Sequence, residues 1–263
     1  LQVEPVVTIP KVLIDILADS TGVANEYKVI ENSAQTFADN INEFSGMIGE
    51  RQVGCPLVVH RRCIEPMFSI SNMISYDNRM FNKTHKKEDY LKQEQPFLIK
   101  KSGWINVEGT ENGSKDHFVK NQAERVCQLL ENALHIYTNL YETDDKIFII
   151  TPFRTVAESM RKFVIGYFSV KGYDKEMLTK WTKNCVGTVH TFQGKDANEV
   201  LFVLGCSDKS VGAMNWVVKK ANILNVACTR AKYRIAFIGN LNDWKNRRYF
   251  REFIPKFIDT IDA

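Results

Sequence analysis

The chain has 263 residues, 35 of them basic and 31 acidic, for a formal charge of +4, and 44% are hydrophobic and 11% aromatic. That apolar content fills one large core or two modest ones and excludes wholesale disorder. Its longest apolar runs, EVLFVLGC and KIFII, fall far short of the roughly 18 residues a membrane span needs, and the opening LQVEPVV lacks the charged n-region of a signal peptide.

Taken in chain order, apolar spacing predicts amphipathic helices at KVLIDILAD (Lys11 to Asp19) and SAQTFADNINEFSGMI (Ser33 to Ile48), then a strand at PLVVH. Residues 81–116 are polar and Lys-rich and read as a surface insertion, with a small strand pair around FLIKKSGWINVEG. Beyond it, helical patterns (VKNQAERVCQLLENALHIY, RTVAESMRKFVIGYF, KEMLTKWTK, MNWVVKKANILNVACTRA) alternate with the strand-length runs KIFIITP, GTVHT, EVLFVLG and YRIAFIGN. Most of these strands are apolar on both faces, as in a parallel sheet covered by helices on both sides. The expected class is therefore α/β, one domain over residues 1–263, with the motif residues at the carboxyl ends of the strands.

Single residue types decide little. The six cysteines form no CxxC pair and lie in or beside apolar stretches, which suggests reduced, buried thiols and a reducing, cytoplasmic compartment. His60, His85, His117, His135 and His190 show no HxxxH or HExxH spacing, so no metal site is expected. Lys83, Lys86 and Lys87 are interleaved with acids and read as solvated surface. Trp104, Trp181, Trp216 and Trp244 each fit a core or partly buried position, and none is assigned to binding.

The chemistry concentrates in VGTVHTFQGKD (Val186 to Asp196) and ILNVACTRAKYRIAFIGN (Ile223 to Asn240). Arg230 ends an apparent helix, where its charge would project into a cleft and could neutralise charge on a transferring γ-phosphoryl group, an effect of roughly 10³ to 10⁵ in rate in nucleotide hydrolases. A blander reading makes Arg230 and Lys232 the cations that face a helix dipole. Gly194 would allow close backbone approach to a ligand, and Asp196 would offer a carboxylate to a ribose hydroxyl.

These segments resemble those of the superfamily 1 helicases, in the branch that contains the eukaryotic RNA-surveillance helicase and bacterial DNA-helicase relatives. TVHTFQGKDANEV is similar to motif V of that family and NVACTRAK to motif VI. Upstream, LQVEPVV resembles the tail of motif III, HRRCIEPMFSISNMISYDNRM resembles motif IV, and IFIITPFRTVAESM resembles the motif that follows it. The resemblance implies a RecA-like P-loop NTPase fold, as the second, C-terminal lobe of a two-lobed motor excised from a longer chain. ATP with Mg²⁺ would lie between it and an N-terminal RecA-like lobe that holds the metal. Carried over by position, Gln2, Arg62 and Arg230 would sense the γ-phosphate, and Gln193, Gly194 and Asp196 would contact the nucleotide. Thr151, Pro152, Arg154, Thr188 and His190 would line a groove for single-stranded nucleic acid, with DNA favoured over RNA, through backbone contacts that read no sequence.

Departures from the family pattern are His60-Arg61-Arg62-Cys63 for the usual Gln-Tyr-Arg-Met, His190 for an acid, Asp196 for a Glu, and Ala157 for a Gln. The sequence contains no GxxxxGK[ST] loop and no apolar strand ending in Asp-Glu, so the chain by itself is expected to hydrolyse no ATP. Two functions remain. One is the C-terminal motor domain of an ATP-dependent helicase or translocase; the other is a degenerate, non-catalytic RecA-like module that binds nucleic acid or protein.

Overall fold

The computed structural model describes residues 39, 42–48, 51–54, 57–84, 97–111, 113, 116–136, 140–143 and 146–261. Gln2, the helix expected at Lys11–Asp19, Lys86, Lys87 and Cys55 lie outside them. The other five cysteines are buried free thiols. Among the described residues, no helix is long and apolar enough to cross a membrane.

A five-stranded, all-parallel sheet forms the frame. Its strands are β5 (Gly103–Asn106), β6 (Ile147–Thr151), β7 (Val186–Thr188), β8 (Ala197–Val203) and β9 (Ala231–Gly239), in the order β5-β9-β8-β6-β7. Consecutive residues of β6 and β8 are buried, which requires cover on both faces, as their two-sided apolar sequences predict. Two short pairs stand apart: the hairpin β1 (Gly46–Ile48) with β2 (Arg51–Val53), and β3 (Val59–His60) with β4 (Phe81–Asn82). Gly46–Ile48, which the helical pattern included, is thus a strand.

Helix α1 (Met67–Ser75) packs on α6 (Asn222–Arg230), and both lie against β9. α3 (Arg154–Val170) and α4 (Lys175–Cys185) pack on each other and on β6 and β7, with α2 (Lys120–Ile136) beside α3. Asp174 caps α4, its carboxylate accepting from the Met177 N–H at 2.7 Å. The long helix expected over MNWVVKKANILNVACTRA is two, α5 (Val211–Val217) and α6. α7 (Leu241–Trp244) and α8 (Phe250–Phe257) are the last helices among the described residues.

Residues 81–116 are not a surface insertion throughout. In place of a local strand pair, Gly103–Asn106 forms one edge of the central sheet in register with Ala236–Gly239. The cause is Trp104, fully buried, which stacks on Phe237 at 5.9 Å and donates its indole N–H to the Gly239 carbonyl at 2.9 Å. Burying a side chain of that size outweighs the polarity of its neighbours.

Candidate functional site

Parallel strands give the sheet two chemically distinct edges, and the motif residues divide between them. At the amino edge, α6 ends at Arg230 and β9 begins at the next residue, while Gly194, Lys195 and Asp196 run into the start of β8. Arg230 and Asp196 therefore lie at the amino ends of their strands, which corrects the expectation of carboxyl ends. Nor does Arg230 project into open space, for it is 2% exposed. Its guanidinium donates to the carbonyls of Lys195 (2.7 Å), Val226 (3.2 Å) and Phe192 (3.3 Å), and to the Thr229 hydroxyl (3.2 Å).

Burial, and then the like charge of Arg62, hold Arg230 down to about 10, with Asp196 opposing. Arg62 reaches this edge through a tight turn. The Nε2 of His60 accepts from the Cys63 N–H at 2.9 Å, which places the ring proton on Nδ1, and the Ile64 N–H donates to the Lys232 carbonyl at 3.1 Å. The His60-Arg61-Arg62-Cys63 departure is thereby a turn closed by its own imidazole. Asp196 pairs with Lys232 at 2.8 Å. Gly194 adopts φ +89, a left-handed conformation that favours glycine, and an added Cβ would meet nothing within 4 Å among the described residues, so ligand approach there is open.

At the carboxyl edge lies a groove of about 490 Å³. Pro152, Arg154, Thr188 and His190 line it together with Arg161 and Trp216. Four of the five residues expected to face a strand meet here. Thr151 does not: it is 1% exposed, and its hydroxyl accepts from the Phe153 N–H at 3.4 Å inside the β6–α3 turn. Its part is to shape the turn. Helix α3 starts at the groove without a side-chain cap, so its first N–H groups and its dipole face an incoming anion. Arg154 is exposed and paired with Glu158 at 2.8 Å. Thr188 and Thr191 share a hydroxyl contact at 3.1 Å, which fixes the opposite wall.

The two edges are joined by one stretch of chain. From Thr188 the backbone descends through overlapping turns (Thr191 N–H to the Thr188 carbonyl, Gln193 to His190, Lys195 to Phe192), and Arg230 holds the last two carbonyl positions, Phe192 and Lys195. Phe192, fully buried, stacks on Phe148 at 4.3 Å and pins the middle. Sequence reasoning named Trp216 but assigned it no binding role, and it did not single out Arg161. Helical periodicity gives Trp216 no reason to face solvent, and Arg161 is held at the groove by a distant partner, donating from Nε (2.9 Å) and Nη2 (2.7 Å) to the Val186 carbonyl.

Spacing rules also miss a contact between distant segments. Glu111, His117 and Cys206 bring potential ligand atoms within 4.8 Å of one another. Hydrogen bonds account for this arrangement: the Glu111 carboxylate accepts from the Ser207 N–H and the Ser210 hydroxyl, both at 2.8 Å. Burial, with the Glu111 charge adding, pushes the Cys206 thiol up, so the sulfur keeps its proton.

Residues 43–242 match the profile of a family described as an AAA domain. Among curated proteins, an uncharacterized ATP-dependent helicase of Methanocaldococcus jannaschii is 26% identical over 214 residues, a match that takes in 75% of this chain and 28% of that protein. The chain thus spans little more than a quarter of its relative's length.

Proposed function

The chain belongs to the AAA domain family, and we propose that it acts as the second, C-terminal RecA-like lobe of an ATP-dependent superfamily 1 helicase or translocase. The observation that carries this reading is the division of the motif residues between two edges of one sheet, with Arg62, Asp196 and Arg230 at the amino edge and the groove of Pro152, Arg154, Thr188 and His190 at the other. Resemblance to the helicase of M. jannaschii supports it at the level of a helicase-type motor.

A nucleotide fits the amino edge on charge grounds. Two guanidinium groups are held close enough for Arg62 to depress Arg230 by more than the Asp196 carboxylate restores, so a further anion at this edge would be stabilised. ATP bound there supplies the γ-phosphoryl group whose hydrolysis drives movement. Arg62 and Arg230 would sense that phosphate, and Gln193, Gly194 and Asp196 would contact the nucleotide. The phosphate cradle and the carboxylates for Mg²⁺ would come from the first lobe, since this sequence has neither. In the groove, the uncapped start of α3, Arg154 and the Thr188 and Thr191 hydroxyls would hold phosphates of a single strand, DNA in preference to RNA.

The reading as a non-catalytic module draws on one observation, that Arg230 spends its N–H donors inside its own lobe. ATP turnover separates the two. The full-length protein is expected to hydrolyse ATP faster when single-stranded DNA is added, and the 263-residue chain by itself to show no turnover above background. A full-length protein inert toward ATP with and without DNA overturns the motor reading.

A further inference from the structure

Trp216 differs from the other tryptophans. Trp104, Trp181 and Trp244 are at most 2% exposed, whereas Trp216 is 49% exposed. It stands on α5, tilted against Phe153 with ring centroids 5.8 Å apart, and so is held on one side and open on the other. Its indole also forms part of the walls of two hollows: the groove already described and a second of about 720 Å³.

The second hollow is lined by Lys219, Arg247 and Arg248 with Asn215, Asn246 and small or apolar residues, and among the described residues no carboxylate lines it. Arg247 is fixed in place, donating from Nε to the Asp243 carbonyl at 2.9 Å and from Nη1 to the Asn215 amide oxygen at 2.7 Å. The Arg248 guanidinium lies over the Tyr249 ring at 4.8 Å. One-signed charge around an exposed aromatic face suits a polyanion with flat, apolar bases. The indole offers a stacking surface to any base, and the cations meet the backbone. Asp243 offsets part of the Arg247 charge, but no carboxylate among the described residues lines the hollow beside Lys219 and Arg248, so a neutral apolar partner would desolvate cations that a phosphate would pair.

We propose that the single-strand track continues beyond the groove, over Trp216, where one base stacks on the indole, and into the second hollow, where Lys219, Arg247 and Arg248 meet the following phosphates. This rests on the groove being a strand site. Trp216 is a binding residue in this scheme, and α5 a platform set at the carboxyl edge by the loop after β8.

The test is binding of labelled oligodeoxythymidine to the chain by fluorescence anisotropy, with tryptophan emission recorded alongside. Because the other three indoles are buried, quenching on binding is expected to come from Trp216. Trp216→Ala is expected to weaken binding roughly five- to a hundredfold, and Trp216→Phe, which keeps a stacking ring, to retain most of it at an unchanged melting temperature. The pair Lys219→Glu and Arg248→Glu should flatten the dependence of log K on log salt by about 0.7 for each phosphate that the chain no longer neutralises. If Trp216→Ala binds like the parent while Arg154→Glu weakens binding, the extension is wrong and the groove stands. If the parent fails to bind, or if Arg154→Glu also binds like the parent, the groove falls and the extension with it.

Discussion

Replacing Arg230 by alanine is expected to remove ATP turnover from the full-length motor and, separately, to lower the melting temperature of the chain alone. The first effect follows from the proposed role, since a guanidinium at a transferring phosphate contributes roughly 10³ to 10⁵ in rate. The second follows from the geometry. Arg230 is 2% exposed and donates to three main-chain carbonyls, two of them, Phe192 and Lys195, in the turn that leads from the groove to β8. Alanine leaves those acceptors without their donor, at about 1–3 kcal/mol for each one that stays dry, and opens the volume the side chain filled. Arg230→Lys separates the two roles, because an ammonium keeps the charge but cannot fork between carbonyls. It is expected to melt between the parent and the alanine variant and to restore little turnover. An alanine variant that melts like the parent would show that the carbonyl contacts do not anchor the turn, and Arg230 would then be a phosphate sensor alone.

The fold was legible where residues carry their own instruction, and obscure where a distant partner supplies it. IFIIT, EVLFV and IAFIG are apolar on both faces, and each is a strand of the buried parallel sheet. GWIN is short and set among Lys, Gly and Glu; partners more than a hundred residues away, Phe237, Gly239 and Phe250, make Trp104 a core residue and Gly103–Asn106 a sheet edge. The break between α5 and α6 carries no Gly or Pro to announce it. At the site, the residues named by motif order fall into two groups, each on one edge of the sheet, and the edge expected for Asp196 and Arg230 was the wrong one. The rule that loops follow strands at their carboxyl ends holds for the Thr151-Pro152 and Thr188 segments. TRAK is a helix end that precedes a strand, so its residues fall on the opposite side. Thr151 shows the remaining gap, for a hydroxyl beside a groove can serve the turn beneath it, and only its burial says which.

Glu199 is expected to make the chain's stability fall as pH rises through the neutral range. It sits in β8, directly opposite Arg234 of β9, almost wholly buried, and its carboxylate accepts from the N–H groups of Leu98 and Ile99, the latter at 3.0 Å. Those bonds and Arg234 favour the charged form, but burial outweighs them and pushes the carboxyl from 4.5 up to about 7. A folded-state value above the unfolded one means that the native chain binds the proton more tightly. The resulting stability is fully present below about pH 4.5 and is lost as pH climbs through about 7, a swing of about 3 kcal/mol from this one group. Denaturant unfolding of the parent and of Glu199→Gln across that range isolates it. The amide cannot ionise, so the parent's advantage over the variant should fall steadily as pH rises and reach zero or reverse by about pH 7. At acid pH the variant should be weaker by about 1–3 kcal/mol, because an amide offers one acceptor oxygen where Leu98 and Ile99 require two. A difference that stays constant from pH 4.5 to 7 would mean that Glu199 titrates alike in the folded and unfolded chain. The two N–H donors and Arg234 would then compensate fully for its burial in the sheet.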